Sequence, residues 1–124
     1  MTKEEALHSF WSSFELPAYE ENSVYAVASP QMPYITYEVA TGDFNTEIPL
    51  TASLWYDSYS WGAPNTKKSE IAAAIGNGGV IIPCDGGYIW LKRSGRFAQN
   101  TGDSTSDTVK RVILNVTVEF FTEN

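Results

Sequence analysis

Residues 69–93, SEIAAAIGNGGVIIPCDGGYIWLKR, hold two periodicities in one run, and the place where they meet decides the fold. Ile71, Ala72 and Ile75 fall on one helical face, and Gly76, Gly78 and Gly79 supply the backbone that ends a helix. The spacing therefore predicts a helix that stops near Gly76. Val80 to Cys84 and Tyr88 to Lys92 are two short β-prone runs, and Asp85-Gly86 between them suits the positive-φ corner of a type I′ hairpin.

Upstream, Trp61-Gly62-Ala63-Pro64 opens this helix, because proline is tolerated in a first turn where its missing N–H is not needed. From Glu47 to about Tyr59, Ile48, Leu50, Ala52, Leu54 and Tyr56 alternate with polar positions, which predicts a long strand antiparallel to its predecessor. That predecessor lies in PYITYEVATGDF, where Ile35, Tyr37 and Val39 share a face and Thr41-Gly42-Asp43 forms the turn. Residues 18–32 show no sustained period and read as a mostly irregular crossing. Thr2-Lys3-Glu4-Glu5 has the capping-box pattern, and Leu7, Phe10, Trp11 and Phe14 follow as an apolar stripe on a first helix reaching about Phe14.

Downstream, SGRFAQNTGDSTSD, residues 94–107, is polar and turn-rich and reads as a mobile excursion. Residues 108–122 then alternate, with Val112, Leu114, Val116, Val118 and Phe120 on one face, as the central strand of a sheet. The expected order is α-β-β-α-β-β-β. The fold class is α+β, a single domain over residues 1–124 with an antiparallel sheet flanked by two helices on one face.

At 124 residues with 43% hydrophobic and 14% aromatic content, one such domain can bury a core without metal or disulfide support. Cys84 is the only cysteine, which excludes an internal disulfide and fits a reducing compartment. No apolar run approaches the roughly 20 residues of a membrane span, and no export signal or anchor is visible. Eight basic against fifteen acidic side chains give a net charge of −7. That balance argues against a phosphate-clamping groove, yet suits a wall past which DNA slides without specific binding.

The inventory for catalysis is poor, and the expectation is a non-enzyme without metal or cofactor. His8 is the only histidine and reads as a boundary or exposed residue on the first helix; Cys84 reads as a buried hairpin thiol. Gly76-Asn77-Gly78-Gly79 follows a helix instead of preceding one, so it is a helix stop and not a phosphate loop. Asp103-Ser104-Thr105-Ser106-Asp107 lacks the glycine and distant glutamate of an EF-hand loop, and Asn115-Val116-Thr117, a glycosylation pattern, falls inside a predicted strand. Tyr56, Tyr59, Trp61, Tyr88 and Trp90 suit an aromatic core and a protein interface, with a sugar-stacking surface as the lesser alternative.

LPAYEE, PYITYEVATGDF, the Ser-Leu-Trp-Tyr strand, EIAAAIGNGGVIIPCDGGYIWLKR, FAQN and the closing VKRVILNVTVEFFTEN together carry a resemblance over most of the chain. The chain resembles the small tail proteins of siphophages, myophages and related prophages of Gram-positive bacteria, and within them the tail terminator or tail completion family. The resemblance implies a mixed α/β fold, a homo-hexameric ring at the head-proximal end of the tail tube, and assembly in the bacterial host cytoplasm. Its partners would be further copies of itself, the tail tube protein and a neck or head-completion protein, with no membrane contact. Another head–tail connector component is the nearest alternative, and a carbohydrate-binding module follows.

Exposure and chemistry nominate the residues that would serve such a role. Arg96 and Phe97 are expected as anchors on the polar excursion after Arg93, with Gln99, Tyr59 and Trp61 as further interface residues. Asp43, Glu47 and Asp57 are expected to face the lumen of the ring.

Overall fold

A computed structural model describes residues 1–22, 31–42, 46–103 and 106–122. Helix α1 spans Lys3–Ser12, and its N-terminus is closed by the capping box: the Thr2 hydroxyl accepts from the Glu5 N–H while the Glu5 carboxylate accepts from the Thr2 N–H. Strands β1 (Ala18–Glu20), β2 (Tyr34–Tyr37) and β3 (Glu47–Asp57) follow, then α2 (Gly62–Ile75), β4 (Val80–Cys84), β5 (Gly87–Asp103) and β6 (Ser106–Phe121). The order is thus α-β-β-β-α-β-β-β, within the α+β class.

The strands form one six-stranded sheet in the order β1-β2-β3-β6-β5-β4. Every neighbouring pair is antiparallel except β1 and β2, which run parallel with Ala18 opposite Ile35. This corrects the expected fully antiparallel sheet and the irregular reading of residues 18–20. Three residues are too few to show a period, and β1 is held by its neighbour's backbone: the Ile35 N–H donates to the Pro17 carbonyl and the Glu21 N–H to that of Tyr37.

The larger correction lies after Arg93. Residues 94–103 are not a loop; they continue β5 alongside β6, pairing Ala98 with Leu114 and Thr101 with Arg111. The polar composition concealed the strand because its partner supplies the apolar side chains, and β-propensity depends on such context. The tip residues Ser104 and Thr105 lie outside the described residues.

In the β4–β5 hairpin, Cys84 pairs with Gly87 across the two-residue corner Asp85-Gly86. The positive φ values are 80° at Gly86 and 153° at Gly87, while Asp85 has none. A type I′ turn needs positive φ at both corner residues, so the turn is of another type. Gly76 ends α2 with φ 77°, as the glycine run predicts.

Both helices pack on the same face of the sheet. Ala6, Leu7, Trp11 and Phe14 from α1 and Ile71 and Ile75 from α2 join the inward residues of the strands in one core, with Leu54, Ile89, Leu91, Val112, Leu114 and Val118 fully enclosed. Helix α2 rests on β3, β5 and β6 in the middle, whereas α1 touches β1 and β2 near one edge and β4 at the other. The sheet therefore curls around α1, and among the described residues no helix covers its far face. The Met1 carbonyl accepts from the Asp85 N–H, which ties the start of α1 to the hairpin corner.

Candidate functional site

Because side chains alternate along a strand, the register that buries Val112 to Phe120 sends Arg111, Ile113, Asn115, Thr117, Glu119 and Phe121 to the uncovered outer face. Opposite them on β3 stand Trp55, Ser53, Thr51, Pro49 and Glu47. Ser53, Thr36 and Glu119 are buried even though no helix among the described residues covers them. Longer neighbours do the covering, and they divide the face into three zones.

The first zone is an aromatic ladder across four strands. Tyr19 meets Tyr34 edge-on at 5.8 Å, Tyr34 stacks on Trp55 at 6.3 Å, and the Arg111 guanidinium lies over the Trp55 ring at 4.7 Å. Trp55 Nε1 donates to Thr36 Oγ1 at 3.0 Å, and Arg111 Nε donates to Ser53 Oγ at 3.0 Å. The rings are engaged with one another and with Arg111.

The second zone surrounds Lys92, which donates to Glu47 and to Glu119 at 2.9 Å each and lies 4.3 Å from the Trp90 ring centroid. These bonds tie β5 to β6 and β3. The hydrogen bond from Lys92, then its charge, hold the Glu47 carboxyl below the ordinary carboxylate range; the bonds to Glu47 and Glu119 raise the Lys92 ammonium above its ordinary value. The stabilisation at Glu47 is present above the ordinary carboxylate pKa and is lost as pH falls through its depressed value. That at Lys92 is present below the ordinary lysine pKa and is lost as pH rises through its raised value. Lys92→Met is therefore expected to lower the melting temperature at neutral pH and to make its fall between about pH 5 and pH 2 shallower, as thermal melts across that range would record.

Between these zones lies a bulge. Strand β5 advances from Arg93 to Ala98 while β6 advances only from Val116 to Leu114, so extra residues of β5 are pushed out of the ladder beside the central strand. Asn115 Nδ2 donates to the Arg96 carbonyl at 2.9 Å, and the Ser94 and Thr117 hydroxyls are 3.1 Å apart, which fixes the bulge to β6. A depression of 390 Å³, open to solvent, forms beside it and is lined by Pro49, Thr51, Ser94, Arg96, Gln99 and Asn115 among others.

No model of a known protein family matches the chain, and no curated protein matches it in sequence.

Of the residues nominated from sequence, Arg96 and Gln99 come together on the wall of this depression. Phe97 does not join them: it is half-buried and packs against the core, as Ala98 after it does, because the bulge breaks the regular alternation of the strand. Tyr59 is 85% exposed and Trp61 half-buried under Lys110, whose Nζ lies 5.7 Å from the ring centroid; both sit between β3 and α2. Glu47 and Asp57 occupy opposite ends of β3, so the acidic residues expected at a lumen are not a cluster, and Asp43 lies outside the described residues. The aromatics considered for sugar stacking are also dispersed: Tyr56 is in the core, and Trp90 Nε1 donates to the Gly78 carbonyl with Lys92 over its ring.

His8 is exposed, with Nδ1 at 2.8 Å from the Tyr37 hydroxyl and Nε2 at 3.2 Å from that of Ser12. Cys84 is half-buried, not buried, because it ends an edge strand; burial, followed by the Asp85 charge, pushes its thiol up and away from reactivity. Asn115, Ser94 and Thr51 went unnominated. Asn115 carried a signal, since an amide between Leu114 and Val116 in a central strand is costly unless it is given work.

Proposed function

We propose that the chain is a structural assembly protein of a phage-type tail, copies of which close a ring at the head-proximal end of the tail tube, stop its growth and dock to the neck. The reading starts from the resemblance of the 69–93 stretch and its flanks to tail terminators. The observation that carries it is the outer face of the sheet. A curled sheet whose described helices both lie on one side leaves, among the described residues, a broad surface whose side chains are held in place by cross-strand contacts, which is how a surface that must meet a rigid neighbour is prepared. On that surface Arg96 and Gln99 stand beside a fixed bulge. Bulges re-aim side chains, and this one interrupts the strand next to the centre of the sheet.

In this role the net charge of −7 suits a collar through which DNA passes without being held. The test is tube growth. Purified tail tube protein polymerised with the chain present is expected to give tubes of limited length, each closed at one end. Tubes that grow as long and as open-ended as those formed without the chain would overturn the proposal.

A further inference from the structure

We infer that the depression beside the β5 bulge receives the acidic end of the β3–β6 ladder of a second copy of this chain; the inference rests on the assembly reading and names its contact. Arg96 is exposed, and its guanidinium has no hydrogen bond or ion pair among the described residues, its only contact of that kind being through its carbonyl. Other cations of the sheet are engaged: Lys92 with two carboxylates, Arg93 with Asn77 and Arg111 with Ser53 and Trp55. Next to Arg96 the Gln99 side chain is likewise without a bonded partner among the described residues. A planar fork of N–H donors with an amide beside it matches a carboxylate, which accepts from both.

The depression is open to solvent, with Arg96 and Gln99 on its wall, so it does not enclose a small ligand and instead suits a protruding side chain. The chain itself carries the complement. Asp57 ends β3 opposite Val109, and Asp107 lies two residues before Val109 at the start of β6, so the two share one end of the ladder. Both are exposed, and neither carboxylate has a partner among the described residues. Arg96 lies mid-sheet, near the level of Asn115, away from that end.

Because Arg96 and the Asp57–Asp107 end stand at different places on the chain, each copy can offer one to the neighbour on one side and the other to the neighbour on the opposite side, a heterologous contact. Such a contact passes from copy to copy head to tail, and it closes into a ring when the rotation permits. An isologous pair would instead set Arg96 of each copy against the Asp57–Asp107 end of the other and stop at a dimer, so sedimentation beyond the dimer is what the head-to-tail contact predicts. Two unpaired carboxylates against one unpaired guanidinium leave the joint acidic, in keeping with the charge of the whole chain.

Sedimentation of the full chain over a concentration series tests the contact, with circular dichroism confirming that each variant folds. Arg96→Glu is expected to weaken self-association about tenfold or more, and Asp57→Lys with Asp107→Lys to do the same. The two variants mixed are expected to associate with each other, and a chain carrying all three substitutions to regain self-association. Undiminished association of Arg96→Glu would overturn the contact and leave the ring reading standing, since another surface would then close the ring. Loss in each variant without recovery in the combined chain would overturn it as well, because the two surfaces would not meet. So would a wild-type chain that stays monomeric at every concentration; the ring reading would then be decided by the tube-growth experiment alone.

Discussion

Replacing Gly87 by alanine is expected to lower the stability of the chain by about 3 kcal/mol, read as a fall in the urea midpoint. Gly87 follows the hairpin corner with φ 153°, and a Cβ built on it would stand 1.8 Å from the Phe121 carbonyl oxygen and 2.9 Å from the carbonyl carbon. Those atoms are backbone of β6, the strand between β3 and β5, so they cannot swing aside as a side chain would. The collision must be relieved by opening the β5–β6 ladder where Tyr88 pairs with Phe121, or by moving the corner that Met1 holds through Asp85. Gly78→Ala is the control. Its Cβ would meet nothing within 4 Å and its φ lies outside the left-handed region, so its effect is expected within about 0.5 kcal/mol. A small loss at Gly87 would mean that the close approach of β5 to the end of β6 is wrong.

Phe120→Ala is expected to cost about 3–5 kcal/mol, and Phe121→Ala only about 1 kcal/mol. The two phenylalanines are adjacent and chemically identical, and only the strand's alternation separates them. Phe120 is 1% exposed among core residues, with the Lys3 ammonium 5.6 Å from its ring centroid, and its removal would leave a cavity under α1. Phe121 lies on the outer face, half-buried, stacked on Tyr88 at 4.9 Å. Its loss exposes Tyr88, itself already 40% exposed, and empties no enclosed space. Equal costs, or the reverse order, would invert the register of β6 and with it the assignment of the outer face. The same variants bear on assembly, since Phe121→Ala alters that face without disturbing the core.

How much of this was legible in the sequence follows from where the side chains themselves carry the pattern. The α1 cap, the Gly76 stop, the limits of α2 and the inward face of β6 were all readable, because capping chemistry, positive φ and apolar period are properties of the residues involved. Strand β1 was not, because Ala18–Glu20 is defined by its partner and not by its own sequence. Residues 94–103 were misread for the same reason: Gln99, Asn100 and Thr101 look like loop residues until Leu114 and Val112 are placed beside them. The site shows the same division. Arg96 and Gln99 were nominated from chemistry and share a wall, but Phe97 was paired with Arg96 on the premise of a loop, and a bulge sends the neighbours apart. Phe97→Ala would therefore disturb the core, and Arg96→Glu alone is the clean probe of the surface.

The assignment of this chain to a ring that ends a tail tube is tested most directly by cryo-electron microscopy of tubes grown with it present. The predicted result is a single closed ring of copies at one end of each tube, joined head to tail, with the outer face of the sheet carrying Arg96 in contact with a neighbour. Copies distributed along the tube wall, or tubes with no copy bound at either end, would contradict it.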